Sequence, residues 1–151
     1  MSNKTLCVIP ARYASTRLPG KPLKDIAGMP MICRVYDRAS LATRTAKTVV
    51  ATDDKRIETV VEAHGGHAVM TKKDHPTGTD RLAEVAEKLP DYDLIINVQG
   101  DEPLIDPDLI DSLAAAFDDD PELQMATVKT EMTDEAEQAN PNNVKVVTDK
   151  N

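Results

Sequence analysis

The sequence has no tryptophan, one phenylalanine and three tyrosines in 151 residues. Single-stranded nucleic acids are held on stacked aromatic side chains, and this chain has too few rings to build such a platform. Positive charge is also short. Lys and Arg number 18 against 26 Asp and Glu, giving a net charge of −8. That balance argues against a general nucleic-acid binder, and any anion site has to be made by focusing a few cations locally. No apolar run approaches the roughly 20 residues of a membrane span. The strand-like stretch after Lys4 is too short for the apolar region of a secretory signal. The two cysteines, Cys7 and Cys33, lack metal-ligand spacing. They read as small buried apolar residues in a reducing cytoplasm, in preference to a disulfide.

What remains is an ordinary soluble composition, 40% hydrophobic and 29% charged, at a length that suits one domain. Strand-like runs fall at Thr5–Ile9, Thr48–Thr52, His67–Met70, Leu94–Val98, Met125–Lys129 and Val144–Thr148. Several are continuously apolar, as expected of strands covered on both faces. Between them lie four apolar stripes at helical spacing: Ile32, Val35, Tyr36, Ala39; Ile57, Val60, Val61, His64; Leu82, Val85, Ala86, Leu89; and Ile110, Leu113, Ala114, Phe117. Pro30 precedes the first helix, Thr79 is placed to cap the third, Pro107 opens the fourth, and Gly65-Gly66 stops the second. The alternation predicts an α/β fold, three layers of the α/β/α kind, around a mostly parallel sheet. Val144–Thr148 followed by a turn-like Asp149-Lys150-Asn151 reads as a chain stopping inside a domain.

Against the acidic background, Arg12, Arg17 and Lys21 gather on one loop after the first strand. Ligands of open α/β sheets bind at the carboxyl ends of strands, so this loop is placed for a polyanion such as a nucleoside triphosphate. Arginine offers a forked set of donors to phosphate and lysine a movable point charge. The plain alternative is a solvated charged loop. Pro10, Pro19 and Pro22 weigh against it, because they stiffen the loop and reduce the entropy lost on binding. Gly20-Lys21 is not a Walker A motif, since Ser15 stands where its first glycine belongs and Pro22 where its Ser or Thr belongs.

A second candidate is Gln99-Gly-Asp-Glu-Pro103, directly after an apolar strand. A carboxylate at a strand's end suits Mg²⁺, which takes oxygen ligands and keeps water and phosphate in its shell. Its alternative is a turn capped by Asp101 or Glu102. In His75-Pro-Thr-Gly-Thr-Asp-Arg81, Thr77 can donate and accept and Gly78 admits close backbone approach. Helix capping competes there. His75 and His64 read as structural and His67 as isolated. Asp53 or Asp54 caps the next helix, although both could also face the site.

The run Pro10-Ala-Arg-Tyr-Ala-Ser-Thr-Arg-Leu-Pro-Gly-Lys-Pro-Leu23 resembles the N-terminal signature of the 3-deoxy-manno-octulosonate cytidylyltransferases, the CMP-Kdo synthetases. Val50-Ala-Thr-Asp53, Asp74–Val85, Asn97–Leu104 and Asn140–Val147 match further. The resemblance implies a nucleotide-diphospho-sugar transferase-like, Rossmann-like domain over residues 1–151, the N-terminal portion of a longer family fold. It implies transfer of a cytidylyl group from CTP to the sugar acid Kdo, releasing pyrophosphate, for lipopolysaccharide assembly. By the same resemblance Arg12, Lys21 and Asp101 are catalytic, and Asp101 holds Mg²⁺. Ala11, Arg12, Ser15, Arg17, Lys21, Thr77 and Gly78 bind the nucleotide, with Thr77 and Gly78 at the cytosine, and Gln99 touches the sugar acid. Family members form homodimers. Two other readings remain open at this point: a nucleotide-binding module without catalysis, and a cytidylyltransferase for another sugar acid. Residues 1–151 alone are expected to be weak or inactive in synthesis.

Overall fold

The computed structural model describes residues 3–149. Its centre is β1 (Thr5–Ala11), a strand buried along nearly its whole length. Alternate residues of a strand point to opposite faces. Leu6 and Val8 therefore enter one apolar cluster, and Cys7, Ile9 and Ala11 enter another. After β1 come a 3₁₀ turn, η1 (Lys21–Leu23), a two-residue antiparallel hairpin of β2 (Asp25–Ile26) and β3 (Met29–Pro30), and α1 (Met31–Ala39). Then follow β4 (Lys47–Thr52), α2 (Lys55–Ala63), β5 (Ala68–Met70), α3 (Gly78–Lys88), β6 (Leu94–Asn97), α4 (Pro107–Asp119) and α5 (Glu135–Ala139).

The four main strands run parallel in the order β5-β4-β1-β6. Helices α1, α2 and α4 cover one face through Ile32, Val35, Ile57, Val61, Ile110 and Ala114. Helix α3 covers the other through Leu82 and Val85. The three-layer arrangement expected from the strand–helix alternation is thus present. The chain lays β4 and β5 on one side of β1 and then places β6 on its other side. The topological switch point lies between β1 and β6, where ligands of such sheets bind.

Two expected strands are absent. Met125–Lys129 and Val144–Thr148 have irregular backbone. Met125 is 85% exposed, and Val144 and Val147 are both 91% exposed. Apolar alternation becomes a strand only when a neighbouring strand completes its hydrogen bonds, and neither segment pairs with the free edge of β6. The cap of α3 also differs from expectation. Thr77, not Thr79, accepts the Asp80 N–H, and the Asp80 carboxylate accepts the Thr77 N–H, forming a reciprocal capping box. Asp54 caps α2 by accepting the Arg56 N–H. Pro30, Pro107 and Gly65 stand where the sequence reading placed them.

The segment between β5 and α3 is tied down by Glu84. Its carboxylate accepts from the Lys72 N–H at 2.9 Å, from Lys88 Nζ at 2.8 Å and from His75 Nε2. The structural reading of His75 agrees with that contact. His64 pairs instead with Asp37 at 2.8 Å. The bonds from Lys88, His75 and Lys72 pull the Glu84 pKa from its ordinary 4.5 to about 2. The ionised form therefore stabilises the fold. Its contribution is complete above 4.5 and is lost as pH falls towards 2. Thermal melts of the parent and Glu84→Gln across acid pH should show the parent more stable near neutrality, with the gap closing as pH falls. A pH-independent gap would mean that Glu84 acts by packing alone.

Candidate functional site

The loop after β1 and the turn after β6 leave adjacent parallel strands at the same end of the sheet, because Val8 is in register with Asn97. They enclose a cleft of about 410 Å³. Ala11, Arg12, Ser15, Arg17, Lys21, Gln99 and Asp101 all line it. Seven residues proposed from sequence are thereby brought together. Arg12 and Arg17 are exposed and project positive charge, while Lys21 Nζ lies 2.9 Å from Asp101 Oδ2. A larger groove of about 1150 Å³ runs along the free edge of β6, α4 and residues 121–128. It is lined mainly by apolar side chains and lacks the cations, so the polar cleft is the better candidate for an anionic ligand.

Loop conformation is set locally. The Gly20 N–H donates to the Tyr13 carbonyl at 2.8 Å, closing the loop on itself. Gly20 has φ +70°, and a side chain there would also meet the Tyr13 ring at 3.0 Å. Ser15 Oγ accepts the Leu18 N–H at 3.3 Å, which orients the Ser15 hydroxyl. The Arg56 guanidinium sits 3.3 Å from the centroid of Tyr13 and is itself held by Asp54 at 2.7 Å. A cation over an aromatic face is attracted by the ring quadrupole, so α2 clamps the loop from outside. The turn after β6 is equally constrained. A Cβ on Gly100 would lie 2.7 Å from the Pro10 carbonyl oxygen. Only glycine lets the two walls approach so closely.

Thr77 and Gly78 are placed differently from the other seven. They lie outside the cleft lining, with Thr77 engaged in the α3 cap. Gly78 stands beside Pro10, where an added Cβ would be 3.9 Å from Pro10 Cγ. Asp53 does not cap a helix. Its Oδ1 lies 3.7 Å from Arg81 Nη1. The roles of Tyr13, Arg56, Gly100 and Arg81 were not read from the sequence. Gly100 beside a strand end was the one available signal, because such a glycine often marks close backbone approach.

Cys7 and Cys33 are free and buried. Burial raises the Cys7 thiol to about 12, so it carries no nucleophilic role at neutral pH. No helix among the described residues is long and apolar enough to cross a membrane.

A parallel sheet with a cationic loop and an acidic turn at its switch point places the chain in the class of open α/β domains that take anionic ligands at the carboxyl ends of their strands. The sequence model of one family in that class, described as cytidylyltransferase, matches residues 6–151, and the chain belongs to this family. The 3-deoxy-manno-octulosonate cytidylyltransferase of Syntrophotalea carbinolica is 55% identical over 143 residues, covering 95% of this chain and 57% of that protein. The Escherichia coli protein of the same name is 52% identical over 145 residues, covering 96% and 58%. A solved CMP:2-keto-3-deoxy-manno-octonic acid synthetase complexed with CTP superposes with a TM-score of 0.77 at 54% identity. That match covers 80% of this chain and 49% of the other. The chain thus spans a little over half the length of these curated relatives.

Proposed function

We propose that the cleft binds the triphosphate of CTP and that the whole protein transfers the cytidylyl group to Kdo, yielding CMP-Kdo and pyrophosphate. One observation carries the reading: Arg12, Arg17, Lys21 and Asp101 share a single cleft at the sheet's switch point. The similarity to a synthetase solved with CTP supports the choice of nucleotide. The names of the curated relatives support the sugar acid.

The anomeric hydroxyl of Kdo attacks the α-phosphorus, a new carbon-linked P–O bond forms, and the bond to the bridging oxygen of pyrophosphate breaks. The hydroxyl proton leaves to solvent and the bond electrons leave with pyrophosphate. No protein nucleophile is needed, so the chain's work is positioning and charge stabilisation. Arg12 and Lys21 neutralise charge that grows on the departing phosphates. Arg17 adds attraction at the mouth, Ser15 can donate its hydroxyl to phosphate, and Ala11 forms the floor. In this reading Thr77 and Gly78 stand on the base side and Gln99 faces the sugar acid.

The described residues contain no group of three or more His, Cys, Asp or Glu arranged to hold a metal. A lone half-exposed Asp101 fits Mg²⁺ that arrives with the nucleotide, because this ion is commonly held by one or two carboxylates plus phosphates and water. Held by Asp101, Mg²⁺ would supply charge neutralisation and orientation at the phosphates. The reading takes the cytoplasm as the compartment and a homodimer as the assembly.

Calorimetry of the chain with CTP, ATP and NAD, each with Mg²⁺, tests the nucleotide. CTP is expected to bind most tightly. Equal or tighter binding of NAD would assign the cleft to a dinucleotide instead.

A further inference from the structure

Arg81 is the largest fully buried side chain, with 1% of it exposed. It projects from the first turns of α3 towards the carboxyl ends of β4 and β5. Its Nη1 donates to Thr71 Oγ1, just beyond β5, and lies 3.7 Å from Asp53 Oδ1, just beyond β4. The Asp53 side chain is itself only 10% exposed. Arg81 Nη2 and Asp53 Oδ1 make no hydrogen bond. Burial disfavours the Arg81 cation, Asp53 and Glu84 support it, and the nearby charge of Arg12 opposes it.

A packing role does not explain this arrangement. Removing a guanidinium from water costs several kcal/mol, and an apolar side chain of similar size would fill the space without that cost. The pair also stands behind one wall of the nucleotide cleft, the first loop, on the side of β1 away from β6. Asp53 reaches back to α3, while its neighbour Asp54 holds the Arg56 that stacks on Tyr13 of the first loop. The segment that Arg81 anchors ends at Gly78, which stands beside Pro10 at the end of β1, just before that loop.

We propose that Arg81 and its counter-charge Asp53 are a positioning pair for nucleotide binding, holding residues 71–78 in register with the first loop so that the pocket is formed before the ligand arrives. The proposal rests on the nucleotide-binding reading of the cleft.

Three proteins are compared: the parent chain, Arg81→Met, and Arg81→Met combined with Asp53→Asn. Thermal unfolding, CTP affinity by calorimetry with Mg²⁺, and amide hydrogen exchange over residues 71–80 are measured. Arg81→Met leaves Asp53 buried without its partner, so both stability and affinity are expected to fall. Neutralising Asp53 as well removes the uncompensated charge and should restore most of the melting temperature. Affinity should stay about tenfold or more below the parent, and amides of residues 71–80 should exchange about tenfold faster. Restored stability without restored affinity is what a purely structural pair would not produce. CTP binding within about twofold of the parent in the double variant overturns the proposal, as does failure of both variants to fold, which would make Arg81 structural. If the parent chain binds no CTP, the functional reading falls, and the exchange rates alone decide whether the pair positions residues 71–78.

Discussion

Asp101→Asn is expected to change CTP affinity in opposite directions with and without divalent metal. With Mg²⁺ the carboxylate is a ligand on the proposed reading, and its loss should then weaken binding about tenfold or more, since a hard cation depends on anionic oxygen. Without metal the same carboxylate competes with the nucleotide. It holds Lys21 at 2.9 Å and places negative charge among groups that must receive phosphates. Both side chains are about half exposed, at 43% and 52%. Solvent screens such a pair, and breaking it contributes at most about 1 kcal/mol, or roughly a fivefold gain in affinity. Removing the carboxylate's repulsion of phosphate adds in the same direction. Metal-free titrations should therefore show tighter CTP binding in the variant than in the parent. Lys21→Ala serves as the contrast. It removes a phosphate donor in both conditions and should cost about 1–3 kcal/mol in each. Weaker binding of Asp101→Asn in both conditions would show that the Lys21–Asp101 contact does not restrain the lysine. Unchanged affinity in both variants would make the loop and turn structural.

The same contact shows how far the sequence could be read. That Arg12, Lys21 and Asp101 belong together was implied by the family resemblance, and the structure supplies the physical reason: a loop after β1 and a turn after its neighbour β6 meet at the same end of a parallel sheet. Four of the six expected strands formed for a related reason. Each is apolar enough to be covered on both faces, and β1 is buried from Thr5 to Ile9. Met125–Lys129 and Val144–Thr148 carry similar local patterns but remain unpaired. Nothing within five residues records whether a partner strand is present. Thr77 and Thr79 were separated by a geometric detail: a reciprocal capping box needs a carboxylate or amide side chain three residues on, and Asp80 supplies that for Thr77 alone. Asp53 was invisible as a partner of Arg81 because the pair spans 28 positions and has no periodic signature.

The close packing of the two cleft walls leads to the second large effect. Gly100→Ala would put a methyl group 2.7 Å from the carbonyl oxygen of Pro10. Both atoms belong to rigid backbone segments, and β1 is held by neighbours on both sides, so β1 cannot yield easily. The turn after β6 must shift outward, carrying Asp101 away from Lys21 and opening the cleft. Overpacking of this kind typically costs about 1–3 kcal/mol of stability. The loss of Mg²⁺-dependent CTP affinity should be at least about tenfold, because groups meant to act on one triphosphate no longer converge. Gly78→Ala makes the comparison decisive. Its added methyl would meet only Pro10 Cγ at 3.9 Å, an ordinary contact, so stability should hold. Calorimetry and thermal melts of both variants separate the two glycines. Gly100→Ala with parental affinity would show that the walls need not touch for binding. A Gly78→Ala variant that keeps its stability but loses affinity would put Gly78 against the nucleotide itself, on the base side of the pocket.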